Sequence, residues 1–250
     1  MRAKLVFALV FVLVFSGSAG AVVDVGATNG SAIVFYRNNA TLEQSCQGTL
    51  PRVTGQTVSA AIAQLEALTP AQWAIAQDAL CRGYVAGAAD LQVAGGATTL
   101  PIGVTARGVL WPLITQYEAA DTAASVDVAA GLIALALANT LPFVSEPPGI
   151  VPVTLQTVSS FVSTCSASYP FASAPYAYCN GYIEGEVDAM QWLGGSCMPP
   201  GATVRGGYGV PAILPLIRNE LAAHPAKWTP NTNAAYLVST VLLSAYPCGG

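Results

Sequence analysis

Charge is scarce in this chain: Lys, Arg, Asp and Glu supply 9% of its 250 residues, where an average globular domain carries about a quarter. The balance is acidic, with nine basic residues against thirteen acidic ones. That argues against nucleic acid or an anionic membrane surface as a partner and leaves a basic protein surface as one that fits. Histidine is scarcer still. His224 stands alone, so a His-dependent triad or dyad would have to be assembled around it from distant residues. A Gly-x-Ser-x-Gly elbow, a His-Glu-x-x-His pair, a phosphate loop and a Cys-x-x-Cys pair are all missing, and with them the sequence basis for acyl transfer, zinc proteolysis, nucleotide binding and dithiol exchange. No metal and no cofactor is expected. Alternation of period two is rare, which leaves an all-α reading. The most apolar runs, residues 5–15, 131–141 and 236–246, fall well short of the ~20 residues that span a bilayer, and the last two read as buried helices.

What the chain does have, it has twice. Cys179-Asn180-Gly181-Tyr182-Ile183-Glu184-Gly185-Glu186-Val187-Asp188 repeats the Cys-x-Gly-Tyr-(Ile/Val)-x-Gly-x-x-Asp frame of Cys81-Arg82-Gly83-Tyr84-Val85-Ala86-Gly87-Ala88-Ala89-Asp90 at an offset of 98 residues. The register continues through Pro101 and Gly103 onto Pro199 and Gly201, and through Arg107 onto Arg205. After a small insertion Pro112-Leu113-Ile114 falls on Pro215-Leu216-Ile217, and Ala129-Ala130 on Ala234-Ala235. The sequence therefore predicts two tandem, disulfide-stapled helical bundle domains related by pseudo-symmetry. Residues 40–145 form the first and more degenerate copy, 146–152 a Pro-rich linker, and 153–250 the second copy.

Residues 1–21 read as a secretory signal: Arg2 and Lys4, the apolar run 5–15, then the small residues Ala19-Gly20-Ala21. Periplasmic export is the expectation, with the mature chain beginning at Val22 and an N-terminal arm over 22–39. Two of the nine basic residues leave with the signal, so the exported chain carries seven against thirteen acidic residues, a formal charge of −6. Six cysteines in an exported chain read as disulfides before metal ligands. Cys46, Cys81, Cys165 and Cys179 occupy corresponding places, whereas Cys197 and Cys248 face Thr99 and Phe143 in the first copy. Two cysteines missing together argue for a bond between them, which gives Cys46–Cys81, Cys165–Cys179 and Cys197–Cys248.

Along the chain, Val58, Ala61, Ile62, Leu65 and Leu68 recur at helical steps. Thr69-Pro70 opens the next helix, with Thr69 as N-cap and Pro70 in the first turn, and that helix runs through Cys81 to Gln92. Gly95-Gly96 and Gly194-Gly195 are stop signals. In the second copy Ile213, Ile217 and Leu221 share a helical face, with Pro215 requiring a late start or a kink; a final helix over 233–245 pairs with 126–140 in the first copy. Within the repeated helix, Gly83 and Gly87, like Gly181 and Gly185, lie four apart. Glycine costs ~1 kcal/mol against alanine in a helix interior, and close helix-to-helix approach is the compensation expected. Asp90 and Asp188 lie on the same face, where a short carboxylate caps a neighbouring helix or accepts backbone N–H groups. These six residues, with Tyr84 and Tyr182, form the structural motif.

Glu184 and Asp188, four apart, are the best acid pair for proton transfer, but Glu184 becomes Ala86 in the first copy, and Glu186 points away from both, which disfavours a metal site. A solvated face with a structural Asp is the competing reading, and no catalytic residue is assigned. Trp192, Tyr208, Lys227 and Trp228 lie in or beside loops of the second copy and are the candidates for partner contact, because Trp and Tyr anchor interfaces. Each aromatic equally fits a core position beneath a loop.

The series Cys179-x-Gly181-Tyr182-Ile183-Glu184-Gly185-x-x-Asp188-Ala189, then Cys197-Met198-Pro199-x-Gly201, His224-Pro225 and Ala245-Tyr246-Pro247-Cys248 resembles the Rap/Tai family, periplasmic immunity proteins that neutralise type VI secretion amidases acting on peptidoglycan. The likeness covers 155–248, and the first copy keeps a weaker version. It implies a disulfide-held helical bundle without catalysis that occludes an enzyme's cleft. Members are similar to a single copy and work as dimers, which makes the fused pair a candidate internal pseudo-dimer. The alternative is a periplasmic structural or adaptor protein that uses the same domain for another partner. Peptide mapping without reductant is expected to recover Cys197 joined to Cys248; a peptide joining Cys197 to Cys165 or Cys179 would refute the pairing.

Overall fold

The computed structural model describes residues 37–49, 68–120, 128–141, 153–165, 169–170, 173–199, 204 and 212–248. The signal segment, arm residues 22–36, the helical pattern at 58–67, the linker 146–152, Arg205 and Tyr208 lie outside the described residues. Those residues form eight α-helices: α1 Asn39–Gln47, α2 Pro70–Ala94, α3 Trp111–Ala120, α4 Ala129–Thr140, α5 Val158–Thr164, α6 Ala174–Trp192, α7 Ile213–Ala223 and α8 Ala234–Ala245, with a π-helical turn Ala106–Leu110 running into α3. No strand occurs among them. Two isolated bridges join Asn38 to Val128 and Thr157 to Asn233.

The helix ends follow from local chemistry. Thr69 accepts the Gln72 amide at 3.2 Å while the Gln72 side chain accepts the Thr69 amide at 2.8 Å, a capping box that starts α2 with Pro70 in the first turn, where its missing N–H is not needed. Asn38 and Thr157 close similar boxes on α1 and α5. Gly96 and Gly194, each at φ +69°, turn the chain out of α2 and α6 in the left-handed conformation that glycine adopts without a Cβ clash. α7 starts at Ile213, which leaves Pro215 in its first turn and removes the need for a kink.

Residues 83–93 of α2 are buried without interruption, and in α6 the run 181–191 is broken only at Glu184. Helices apolar on nearly every side belong at the centre of a protein, and these two form the axis on which the others pack. Leu42, Tyr84, Ile114, Ile133 and Leu137 join Phe161, Tyr182, Ile217, Leu237 and Leu242 in a single core. The two halves therefore bury their apolar surface against each other.

Three disulfides join Cys46–Cys81, Cys165–Cys179 and Cys197–Cys248, with Cα–Cα separations of 5.0, 5.1 and 4.8 Å, as the sequence pairing expects. The first ties α1 to α2, the second α5 to α6, and the third fastens the loop after α6 to the segment after α8. Three bridges are the cysteine usage of an oxidising, extracytoplasmic compartment. No helix among the described residues is long and apolar enough to cross a membrane. Cys197 and Cys248 are 51 residues apart, so the double Cys197→Ser, Cys248→Ser variant is expected to lose roughly 4 kcal/mol of stability in urea denaturation. An unchanged midpoint would show that this bridge constrains nothing.

Candidate functional site

The repeated motif builds the seam between α2 and α6. A Cβ added to Gly83 would fall under 3.0 Å from the Tyr178 carbonyl oxygen, and one on Gly87 would meet that of Tyr182; one on Gly181 would meet that of Leu80, and one on Gly185 that of Tyr84. Each step of four along one helix advances the contact by four along the other, so the helices run parallel. The glycines thus remove the four side-chain carbons that would hold the backbones apart, the compensation anticipated for their helix cost. Their Cα–H groups face carbonyl oxygens, a weak favourable contact available only at this range.

Beyond the glycines each tyrosine crosses the seam. Tyr84 donates its hydroxyl to Asp188 Oδ2 at 2.7 Å, and Tyr182 donates to Asp90 Oδ2 at 3.0 Å. Burial first, and then the facing aspartate, raises both phenols well above their ordinary pKa, so both remain donors. Each aspartate also holds the chain entering a short helix of the other half. Asp188 accepts the Arg37 amide at 3.0 Å, one residue before the N-cap of α1. Asp90 accepts the amides of Leu155 and Gln156 at 2.7 and 2.8 Å, just before the N-cap of α5. Each short helix is thus bonded covalently to the long helix of its own half and by hydrogen bonds to the aspartate of the other.

The two nodes differ in charge. Beside Asp188, Arg37 reaches Glu184 Oε2 through Nε at 3.2 Å and Nη2 at 3.0 Å, and Ser45 Oγ through Nη1 at 3.3 Å. Gln156 stands in the place of Arg37 beside Asp90, and Ala86 in the place of Glu184. The solvated face expected for Glu184 is corrected: its side chain is 15% exposed and ion-paired. Glu186, on the opposite side, is fully buried.

The acid pair Glu184 and Asp188 does share the side of α6 that the spacing predicted, but both are engaged by Arg37 and Tyr84. Neither lines the clefts of about 290 and 340 Å³ that open beside Tyr169 and Tyr178, and between α5 and α7. Among the described residues no group of three or more His, Cys, Asp or Glu is placed to hold a metal ion.

The partner-contact candidates separate. Trp192, the last residue of α6, is 37% exposed next to the exposed Leu193. Trp228 is buried, donating Nε1 to Glu220 at 3.2 Å; it packs beneath its loop and offers no surface of its own. Lys227 covers its ring, with Nζ 4.4 Å from the centroid and 3.2 Å from Glu220, and stays exposed. Sequence reasoning missed Arg37, assigned to the arm, and Glu220. The spacing from Arg37 to Leu42 equals that from Gln156 to Phe161, and that match would have placed Arg37 in the repeat.

Comparison with protein-family models, with curated proteins and with solved structures finds no match, so function is argued from the residues themselves. Gly185→Ala is expected to destabilise by ~2 kcal/mol or more, because backbone atoms cannot yield to the added carbon. Gly95→Ala, whose Cβ would sit at 3.4 Å from its nearest neighbour, is expected to stay within ~0.5 kcal/mol of the parent. Equal effects in urea denaturation would mean the close approach is not what selects glycine.

Proposed function

We propose that this is an exported, non-enzymatic binding protein of the immunity type, built as an internal pseudo-dimer, that occludes a peptidoglycan amidase through the surface of its second half. One observation carries the reading. The glycines, tyrosines and aspartates of the repeated motif, through which the chain resembles the Rap/Tai family, are used to build the fold: Gly83, Gly87, Gly181 and Gly185 in the seam, Tyr84, Tyr182, Asp90 and Asp188 in the reciprocal bonds across it. Of the two acids that would serve catalysis, Asp188 holds the lead-in to α1 and Glu184 is ion-paired with Arg37. An acid already bonded by a phenol and a backbone amide is poorly placed to exchange protons with a substrate.

The reciprocity supports the pseudo-dimer. Gly83 stands to Tyr178 as Gly181 stands to Leu80, and Tyr84 to Asp188 as Tyr182 to Asp90, each pair related by the 98-residue offset of the repeat. Partner contact then falls to residues outside the motif. Trp192 offers apolar area and Lys227 a cation held in place by Glu220 and Trp228, a combination suited to an interface anchor; Tyr208 is a third candidate on the same half.

Co-expression in the periplasm with amidases encoded beside the gene is the test. Protection from lysis and recovery of a stoichiometric complex are expected, with Trp192→Ala and Lys227→Glu weakening the complex at least tenfold while leaving the thermal midpoint in place. Continued lysis with no complex would rule out inhibition and leave the adaptor role.

A further inference from the structure

The Asp90 node contains an acid that the fold does not neutralise. Glu186 is fully buried, and among the described residues the one hydroxyl near its carboxyl is that of Tyr182, which makes no well-formed hydrogen bond to it. Tyr182, one turn earlier on α6, donates its single hydroxyl hydrogen to Asp90 and so cannot also serve Glu186. Asp90 is itself buried and acts on Glu186 across the seam. The groups that face this pair are Tyr182 and Tyr178 from α6, the uncharged segment Thr154, Leu155 and Gln156 ahead of α5, and Asn233 ahead of α8, whose amide donates to the Asp90 carbonyl at 3.1 Å. The basic group that reaches the cluster is Arg82, through Tyr178, and Arg82 is bound to Asp78 at 3.0 Å. The contrast with the other node is direct, since there Arg37 sits between Glu184 and Asp188.

We propose that the Glu186–Asp90 pair makes the seam proton-linked: Glu186 is held as the neutral acid, and acidification tightens the joint between the two halves while alkalinity loosens it. A carboxylate without a cation or a well-formed hydrogen bond in an apolar interior is strongly unfavourable, and the protein avoids it by keeping the proton. Burial and then Asp90 raise the Glu186 pKa well above its ordinary value, against the smaller pull of the nearby Tyr182 hydroxyl. Burial pushes Asp90 from 3.8 up to about 6, against the pull of the Leu155 and Gln156 amides and the Thr154 and Tyr182 hydroxyls. Both carboxyls therefore bind protons more tightly in the folded chain than in the unfolded one. Below the unfolded values both states are protonated and there is no penalty. As pH rises through that point the unfolded chain ionises first, and stability falls until the folded groups ionise too. For Asp90 this window runs from about pH 4 to about 6 and changes the folding equilibrium roughly a hundredfold; for Glu186 it begins at about 4.5 and extends higher.

The test compares the full-length protein, disulfides intact, with Glu186→Gln in urea denaturation from pH 5 to 8. Glutamine brings a pH-independent offset, so the slope is the readout. The folding constant of the variant relative to the parent is expected to rise at least tenfold across this range, and parallel curves would overturn the proposal. Should the variant fail to fold, infrared spectra of the parent at pH 7 decide. A carbonyl stretch from a protonated, buried carboxylic acid supports the neutral Glu186, and its absence overturns it. Neither outcome depends on whether the protein inhibits an amidase.

Discussion

Backbone-to-backbone contact between α2 and α6 is the constraint on which everything else depends. Four glycines let two helices approach until each carbonyl oxygen meets the Cα of the other chain segment, and at that separation the side chains flanking the glycines must cross to the opposite helix. Tyr84 and Tyr182 do so, which brings their hydroxyls within reach of Asp188 and Asp90. The aspartates are then in position to receive the amides that lead into α1 and α5. A change that pushed the helices apart by the width of one methyl group would lengthen both tyrosine bonds and release both lead-ins. The seam, the carboxylates and the short helices therefore form one cooperative unit.

That coupling explains why Asp90 and Asp188 are buried. A carboxylate that accepts two amides and a phenol recovers part of what burial costs it. Asp90 accepts three such donors, and Asp188 accepts the Tyr84 hydroxyl and the Arg37 amide. Glu184 borrows a cation from the N-terminal side of α1. Glu186 has none of these and keeps its proton. The reciprocal frame is thus decorated unequally, with the cation at one end and the neutral acid at the other, and the two ends of the seam respond differently to pH. With so much of the motif committed inward, Trp192 and Lys227 remain exposed at the periphery of the second half.

Several features were legible in the chain because they are local or combinatorial. Thr69-Pro70 and Gly96 mark α2 by rules that need only neighbouring residues, and the N-cap geometry follows. The disulfides were legible because a duplication turns cysteine pairing into a comparison: Cys197 and Cys248 are absent together from the first copy and are bonded in the second. The glycine spacing announced a close approach. It did not say which helix would approach, and the partner is the equivalent helix of the other half. Arg37 escaped notice because its role depends on a residue 147 positions away. Trp228 was ambiguous because a loop tryptophan next to a lysine fits both an anchor and a buried ring, and only packing separates them.

Short-range chemistry and the comparison of one half with the other were enough for the helical class, the start of α2, the extent of α8 and the three covalent links. Packing settled that the halves share one core, that each aspartate serves the opposite half, and that Glu186 is enclosed beside a hydroxyl already given to Asp90. The reason is physical: hydrogen bonding and burial depend on which surfaces meet, and two copies with nearly the same pattern carry no internal sign of whether they pack apart or against each other.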